Sequence, residues 1–297
     1  MKILISGASG LIGGKLKLAL QNEGHEVWSL TRSPKNKFDI FWNPNENQIE
    51  LEKINSFQGV IHLAGENIAG SSWTEEKKKK IYSSRVDGTR FLVDSILSLP
   101  SKPDFFVSAS AVGYYGDRGD EDLNEASPAG SGFLAKVCTD WEEAAKPLQD
   151  HSIRTSWARI GIVLSPEGGA LQKMLTPFRL GLGGNMGSGQ QWFPWIDIDD
   201  LVQGFCFLVK NSKCSGAFNF TAPDILRQKD FAKTLARHLK RPSFFHAPEF
   251  LLKLALGEMG EDLLLASMKV LPERLLEMGF EFKYPSLEKS LEHLLSE

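Results

Sequence analysis

The sequence lacks the features of several common protein classes. It contains only three cysteines, Cys138, Cys206 and Cys214, which are scattered without a Cys-x-x-Cys spacing. This pattern argues against a disulfide framework or a structural zinc site and favours a reducing compartment. No uninterrupted apolar run reaches membrane-spanning length, and no secretory signal precedes the first predicted strand. We therefore expect a cytoplasmic protein with no membrane partner.

Charge of either sign is not in large excess. The chain of 297 residues carries 34 lysine and arginine residues against 37 aspartate and glutamate residues, a formal net charge of −3. This balance gives no general attraction to nucleic acid or to an anionic membrane surface, so a small-molecule partner is favoured. With 42% apolar residues, the chain can bury a large core.

The beginning of the chain carries a specific motif. An apolar strand ending at Ser6 runs into Gly7, Gly10 and Gly13 and then into an amphipathic helix pattern. In a dinucleotide-binding turn, the first glycine permits the tight turn, the second lets backbone approach the pyrophosphate, and the third lets the helix pack closely on the strand. Unpaired helix N–H groups face the anion. The motif therefore predicts a dinucleotide site.

Strand and helix patterns alternate along much of the chain. Apolar strands are predicted at 24–30, 59–65, 104–110 and 154–164, and helices at 74–98, 133–149 and 199–210. This order is typical of an α/β protein with a Rossmann-like, doubly wound parallel sheet. Segment 216–220 is predicted to return to the sheet edge, and the last part of the chain has mostly helical periodicity.

The composition changes after Ser165, where glycines become frequent without a regular period. We predict a Rossmann-like domain at 1–165, to which 195–222 returns, and a smaller C-terminal substrate-binding lobe within 166–297. Two side chains of the glycine-rich stretch are candidate substrate ligands. Arg179 suits a carboxylate or phosphate, and Trp192 suits a ring. For the aromatic residues, plain packing is the alternative role.

The end of the second strand distinguishes NAD from NADP. NAD enzymes usually place Asp or Glu there, roughly 20 residues after the glycines, to bond the ribose hydroxyls. This chain has Thr31 and Arg32 instead. A guanidinium forms a forked, charge-assisted bond to a 2′-phosphate, and the threonine adds a hydroxyl donor. The sequence favours NADP(H), and a solvated arginine at the start of a loop is the alternative.

A second cation falls within the apolar stripe of the long predicted helix. Arg85 shares this stripe with Ile81, Gly88, Leu92 and Ile96. An unpaired buried charge costs on the order of several kcal/mol. We therefore expect either an internal carboxylate or a cofactor phosphate to meet Arg85, and the cofactor is the preferred interpretation.

Several segments resemble the extended short-chain dehydrogenase/reductases, a group that includes the nucleotide-sugar epimerases. The segments that carry this resemblance are the glycine turn, His62–Gly65, Arg85–Thr89, Ser108–Ser110 and Ile196–Asp200. More narrowly, other segments resemble the atypical YfcH-like subfamily, often labelled NAD(P)-dependent nucleotide-sugar epimerases. These are Ala64–Ile68, Gly113–Gly116, Pro177–Gly184 and Leu271–Leu275. The similarity spans essentially the whole chain.

The resemblance implies a Rossmann-like fold that binds NADP(H). It places cofactor contacts in the glycine turn, at the end of the second strand, after His62 and at scattered positions beyond. The implied contact residues are Gly7, Ser9, Gly10, Leu11, Ile12, Gly13, Thr31, Arg32, Leu63, Ala64, Gly65, Arg85, Ser108, Gly161 and Ile162.

The chain departs from the family pattern at the catalytic pair. Relatives carry Tyr-x-x-x-Lys on the helix after the Ser108–Ser110 strand, where the lysine and the oxidised nicotinamide lower the tyrosine pKa for proton exchange. Here the two positions hold Phe133 and Val137, which cannot transfer a proton. Ser110 and Tyr114 are the candidate substitutes. Their alternative roles are to bond the nicotinamide amide and to wall the pocket.

The expected function is an NADP(H)-dependent oxidoreductase or epimerase-like enzyme acting on an unidentified small polar metabolite. The missing pair supports a second hypothesis, a catalytically inactive NADP(H)-binding regulator or redox sensor. No metal site is expected, because the six histidines show no ligand spacing. His62 is interpreted as a core residue, and the acidic segment 117–122 as a solvated loop over the cleft.

Overall fold

Strands and helices alternate in the computed structural model. It describes residues 1–54 and 56–296, so Glu297, at the end of the predicted lobe, lies outside the described residues. The strands are β1 (Lys2–Ser6), β2 (Glu26–Thr31), β3 (Asp39–Asn43), β4 (Gln48–Ile49), β5 (Gly59–His62), β6 (Phe105–Ala111), β7 (Asp122–Leu123), β8 (Arg154–Ile160), β9 (Ile162–Leu164), β10 (Gly184–Met186), β11 (Trp195–Asp197), β12 (Gly216–Phe220), β13 (Phe245–Ala247) and β14 (Lys269–Val270).

The helices follow the strands in the order expected of an α/β fold. They are α1 (Leu11–Asn22), α2 (Glu75–Leu97), α3 (Phe133–Ala145), α4 (Pro147–Asp150), α5 (Gly169–Arg179), α6 (Ile198–Lys210), α7 (Gln228–His238), α8 (Glu249–Leu256), α9 (Glu258–Gly260), α10 (Glu273–Glu277) and α11 (Leu287–Leu295). A π-helical turn, Glu261–Leu265, follows α9. Among the described residues, no helix combines the length and apolar character needed to cross a membrane.

The main sheet has eight strands in the order β12-β8-β6-β5-β1-β2-β3-β4. Its pairs are parallel, except that β4 runs antiparallel to β3. From β1 the chain first adds strands on one side and then returns to add strands on the other, beginning with β5. This confirms the predicted doubly wound, Rossmann-like sheet, and it places the crevice for a ligand at the carboxyl ends of β1 and β5.

Alternating side chains of the strands pack into two cores, one on each face of the sheet. Ile3 and Ile5 of β1 pack with the apolar faces of α1 and α6, whereas Leu4 packs with α2 and α4 on the opposite face. This is the period of two that a strand buried on both faces produces. A third core joins α5, α7 and α11 in the C-terminal part of the chain.

Two predicted elements are divided in the structure. Segment 154–164 is not one strand, because the chain leaves the main sheet at Gly161 and β9 pairs with β11 instead. A Cβ at Gly161 would lie 2.4 Å from the carbonyl oxygen of Pro194, so this close crossing requires glycine. The predicted helix 133–149 is two helices, with Pro147 at the start of α4, a position that proline favours.

Candidate functional site

The glycine turn lies between β1 and α1, at the strand-order reversal. Gly7 has a φ of +73°, and a Cβ there would lie 2.9 Å from the carbonyl carbon of Leu63. A Cβ at Gly13 would lie 2.2 Å from the carbonyl oxygen of Gly7. The packing of the chain therefore requires both glycines. Gly10 is less crowded, since its Cβ would meet only the Gly7 oxygen, at 3.3 Å.

The N-terminus of α1 has the properties of an anion site. Its N-cap is Gly10, no side chain caps it, and its first turn contains no acidic residue. The first N–H groups of an α-helix have no partner within the helix, and the helix dipole places partial positive charge there. The N–H groups of Leu11, Ile12 and Gly13 therefore suit a phosphate group.

A buried hydroxyl supports the neighbouring turn after β5. Ser6 Oγ accepts hydrogen bonds from the N–H groups of Leu63, at 3.1 Å, and Ala64, at 3.2 Å. It also lies 2.7 Å from His62 Nδ1. Because two N–H groups already donate to Ser6 Oγ, its proton is directed to His62. The imidazole must then be neutral, with its proton on Nε2.

The far side of the same imidazole completes a directed chain of hydrogen bonds. His62 Nε2 lies 3.0 Å from Thr89 Oγ1, and the Thr89 hydroxyl donates to the carbonyl oxygen of Arg85. His62 is fully buried, and burial lowers its pKa to about 4. The structure thus agrees with the interpretation of His62 as a core residue. This core residue links β1, β5 and α2 beneath the candidate site.

Arg32 lies just beyond β2, beside the glycine turn. Its side chain is exposed, and no hydrogen bond or ion pair engages it within the part of the chain that the structure describes. Thr31 Oγ1 accepts the N–H of Ser33 at 3.2 Å, which shapes the turn that follows β2. The guanidinium is therefore free to meet an anion at the end of β2.

Arg85 has a different partner from either of the two expected. One guanidinium nitrogen, Nη1, donates to the carbonyl oxygens of Glu66, at 3.0 Å, and Ile81, at 3.3 Å. The guanidinium also lies 5.2 Å from the ring centroid of Trp141. Backbone oxygens thus hold Nη1, an aromatic ring lies beside the guanidinium, and the contact with a cofactor phosphate stays a prediction. Arg85 thereby fixes the loop after β5 onto α2.

Ser110 belongs to a buried ionic network rather than to an open surface. Its hydroxyl donates to Glu142 Oε1 at 2.7 Å. The same carboxylate receives two bonds from Arg159, from Nε at 2.8 Å and from Nη2 at 2.9 Å. Burial opposes the charged guanidinium, but the bonds and charge of Glu142 outweigh it and raise the pKa of Arg159. The network ties β6 and β8 to α3.

The two tyrosines after β6 have distinct environments. Tyr115 is fully buried, and its hydroxyl donates to Asn219 Oδ1 at 2.7 Å and accepts from Arg159 Nη1 at 3.0 Å. Burial raises the pKa of Tyr115 to about 12. Tyr114 is only partly buried, and its ring lies 3.5 Å beneath the Arg159 guanidinium. Its hydroxyl has no hydrogen-bond partner among residues 1–54 and 56–296.

Glu142, Arg159 and Asn219 are absent from the sequence-based candidates. The available signal was a charged residue inside an otherwise apolar strand, Arg159, and another on the buried face of a helix, Glu142. Such residues require a partner. Their pairing is a tertiary contact between segments far apart in sequence, so the periodicity of neither segment specifies it.

The two positions of α3 at which the sequence predicts the missing catalytic pair hold Phe133 and Val137. Phe133 begins α3, and its ring packs edge-on against Trp73 at a centroid distance of 5.3 Å. Val137 is buried. On the neighbouring strand, Ser108 is fully buried, and its hydroxyl donates to the carbonyl oxygen of Ala109 at 2.9 Å. The Ser108 side chain is therefore occupied within the sheet.

Two cavities lie on either side of the Glu261–Leu265 turn. The first, of about 570 Å³, is largely polar and is bordered by the loop after β6, the start of α3 and the end of the turn. The second, of about 440 Å³, lies between α5, α7, β10 and β13, and its lining is almost entirely apolar. Ile162, an expected cofactor contact, lines the second cavity.

The two candidate substrate ligands line neither of these cavities. Arg179 is exposed at the end of α5. Trp192 donates from Nε1 to Asp120 Oδ1 at 2.8 Å, and the Arg227 guanidinium lies 4.2 Å from its ring centroid. The packing alternative for Trp192 thus describes its surroundings better than a substrate contact does.

The acidic loop is not simply solvated. Asp120 forms an ion pair with Arg227 at 2.9 Å, and Asp122 forms one with Lys269 at 2.5 Å. The hydrogen bond from Trp192, followed by that from Arg227, lowers the pKa of Asp120. The loop is therefore fastened to the C-terminal part of the chain.

One acidic cluster has the spacing of a metal site, but its side chains bond to one another and to groups of α6 and α11. Asp197, Asp199 and His293 place ligand atoms within 4.8 Å of one another. Asp197 caps α6 by accepting the Asp199 N–H at 2.8 Å, and it accepts the Ser290 hydroxyl at 2.6 Å. His293 Nε2 lies 2.8 Å from Asp199. These groups fasten the last helix to α6.

Comparison with known proteins identifies the family. The model of the NAD dependent epimerase/dehydratase family matches residues 3–220. The chain belongs to this family. A model named domain of unknown function DUF1731 matches residues 247–294, which include α8 to α11. Together the two matches cover the Rossmann-like sheet and the C-terminal helices of this family member.

Full-length relatives agree with this assignment. The chloroplastic SDR39U1 homolog of Arabidopsis thaliana, described as an epimerase family protein, is 40% identical, covering 99% of this chain and 87% of that protein. The epimerase family protein YfhF of Bacillus subtilis is 35% identical, covering 100% and 99% of the two chains. The chain is thus an atypical member of the short-chain dehydrogenase/reductases, as its motifs predict.

Solved structures share the fold. The human epimerase family protein SDR39U1, solved with NADPH, is 34% identical, covers 99% of each chain and has a TM-score of 0.91. A nucleoside-diphosphate sugar epimerase from Corynebacterium glutamicum is 33% identical, with a TM-score of 0.83, and covers 99% of this chain and 58% of that one. This family member therefore has the NAD(P)-binding epimerase fold.

Proposed function

We propose that this protein is an NADP(H)-dependent oxidoreductase or epimerase-like enzyme. The observation that carries the proposal is the juxtaposition of the uncapped α1 N-terminus with the exposed Arg32 at the end of β2. The helix end suits the pyrophosphate, and the guanidinium suits the additional 2′-phosphate of NADP(H). The NADPH found with the human relative supports the same choice.

The remaining cofactor contacts follow from the expected set and its surroundings. Ser9 and the residues around it surround the pyrophosphate, and Thr31 accompanies Arg32. Leu63 and Ala64, which Ser6 holds in place, and Gly65 border the crevice on the β5 side. Arg85 shapes this border from behind through its bond to Glu66. The cofactor would supply hydride chemistry when bound, and Gly161 and Ile162 would contact it at the start of β9.

Tyr114 is the stronger of the two candidate proton donors. The Ser110 hydroxyl already donates to Glu142, so a substrate would have to displace that bond to receive its proton. The Tyr114 hydroxyl is not engaged within the described residues, so a substrate could accept its proton without displacing another bond, and the Arg159 guanidinium lies 3.5 Å from its ring centroid.

A regulatory or sensor protein without catalysis is the second candidate. Phe133 and Val137 occupy the positions of the usual pair, and the internal bond of Ser110 to Glu142 favours this alternative. Such a protein would bind NADP(H) equally well. Only turnover separates the two candidates.

Titration with NADPH and NADH tests the cofactor assignment. We expect preference for NADPH in the unchanged protein. Loss of a hydrogen bond to a charged group costs about 1.5–3 kcal/mol, so Arg32→Ala should weaken NADPH binding by about 10- to 150-fold and leave NADH unchanged. Arg90→Ala, which removes another exposed arginine, is the control. Equal affinity for the two cofactors would remove the basis of the NADP(H) assignment.

A metabolite screen that follows NADPH absorbance tests catalysis. Turnover of any compound excludes the sensor. We then expect Tyr114→Phe to lower kcat more than Ser110→Ala, with NADPH affinity unchanged. The opposite order would assign proton transfer to Ser110. If no compound is turned over and NADPH binds tightly, the sensor is favoured.

A further inference from the structure

The apolar cavity of about 440 Å³ has the size of a small-molecule site. Phe178, Phe193 and Phe231 form its buried aromatic side. The other apolar residues of its lining include Ile68, Ile162, Ala170, Met174, Leu182 and Phe245. Ligands make most of their contacts with such linings through carbon atoms.

The polar side chains of the cavity are largely committed to the backbone. Among residues 1–54 and 56–296, the only charged residue in its lining is Lys173, which donates to the carbonyl oxygen of Ala69 at 2.8 Å. Gln228 accepts the N–H of Met186 at 3.0 Å. A diphosphate would need several cations or N–H donors to offset its desolvation. The cavity does not supply them.

The cavity lies next to two segments of the candidate cofactor site and reaches the surface. Ile162 and the segment after β5, represented by Ile68, lie at one side. Leu182 and Phe245 also belong to the lining, yet each is 52% exposed, so they mark the mouth. Phe244 beside them is 82% exposed. An apolar compound would meet apolar side chains from the mouth to Ile68 and Ile162.

We propose that this cavity binds the apolar part of the substrate, and that the substrate is a lipophilic carbonyl compound or alcohol rather than a nucleotide sugar or a small polar metabolite. The proposal rests on the proposed NADP(H)-dependent function. In reduction, the carbonyl carbon receives a hydride from the reduced cofactor and the oxygen receives a proton, which gives the alcohol and the oxidised cofactor. Burial of the hydrocarbon part supplies the affinity.

Binding of Nile red, a neutral apolar fluorophore, to the full chain tests the cavity directly. Ala170→Trp places a large ring in the cavity and should weaken Nile red binding at least tenfold. Leu254→Ser is the control, because Leu254 is an 82% exposed leucine on α8 outside the lining, and it should leave binding within twofold. A medium-chain aliphatic aldehyde should displace the dye, and UDP-glucose should not.

Three outcomes would overturn the proposal: unchanged dye affinity in a folded Ala170→Trp protein, an equal loss in Leu254→Ser, or displacement by UDP-glucose. Met174→Lys is a second variant if Ala170→Trp does not fold, and it should also exclude the dye. NADPH affinity is measured in parallel. If the unchanged protein does not bind NADPH, the proposed function is refuted. The dye results report on the cavity alone.

Discussion

Replacing His62 by glutamine should alter how the stability of this protein depends on pH. His62 is fully buried and neutral, with Ser6 on one ring nitrogen and Thr89 on the other. A protonated ring would present an N–H to Ser6, whose hydroxyl has no other acceptor for its own proton in this arrangement. Glutamine keeps one donor and one acceptor but does not titrate.

The size of the effect follows from the pKa. Burial lowers the pKa of His62 to about 4, against about 6.5 in an unfolded chain. The unfolded state therefore binds the proton first, and the contribution to stability is complete above pH 6.5 and is lost as the pH falls towards 4. The difference of about 2.5 units corresponds to about 3 kcal/mol, of which about 2 kcal/mol is lost by pH 5.

Urea unfolding of both proteins between pH 5 and 7.5 measures this contribution. The informative quantity is the change with pH in the difference between their unfolding free energies, because a constant offset reports only the altered packing. We expect the unchanged protein to lose about 2 kcal/mol more than His62→Gln over this range. Parallel curves would refute the neutral, directed hydrogen-bond chain through His62.

Three further predictions concern the glycine turn, the buried ionic network and the acidic cluster that contains Asp197. Gly13→Ala should abolish NADPH binding and destabilise the fold by about 1–3 kcal/mol or more, whereas Gly14→Ala, whose Cβ would lie 3.8 Å from the nearest atom, should be neutral or stabilising in the same titration and melt. Glu142→Gln should lower the unfolding free energy by about 3–5 kcal/mol, because it leaves Arg159 buried without its counter-charge; a denaturant midpoint near that of the unchanged protein would contradict this. Burial raises the pKa of Asp197 to about 6, so this carboxyl favours the folded state below pH 3.8 and that contribution declines up to pH 6. Asp197→Asn should therefore lessen the loss of stability between pH 4 and 6, and an unchanged pH profile would argue against burial of the carboxyl.

The buried ionic network also bears on the missing catalytic pair. Arg159 brings a fixed positive charge to the end of β8, over the ring of the proposed proton donor Tyr114. Its bidentate pairing with Glu142 holds it in one position. The fixed guanidinium therefore holds the Tyr114 ring in place beside the strand end.

The local sequence was enough to predict the glycine turn at the beginning of the fold and the family of the protein. A Cβ at Gly13 would collide with Gly7, six residues earlier, and a Cβ at Gly7 would collide with Leu63 at the end of the adjacent strand. The spacing of the glycines in the sequence is therefore enough to predict this turn. The alternation of apolar strands with amphipathic helices likewise predicted a doubly wound parallel sheet, since right-handed crossovers leave few alternatives. Arg32 follows the second strand of the same βαβ unit, so its place near the glycine turn could also be predicted from the sequence.

Tertiary structure decided the partners of the charged residues and the character of the cavity. Arg85 donates to one carbonyl oxygen of a loop and one of its own helix, Ser110 donates to a carboxylate 32 residues away, and Asp120 pairs with Arg227. Periodicity reports which face a residue occupies but not which distant segment packs against it. The apolar cavity likewise exists only because α5, α7, β10 and β13 meet beside β9. The sequence by itself therefore determined which class of cofactor this protein is built to hold, and only the packing of distant segments decided the surroundings of a substrate.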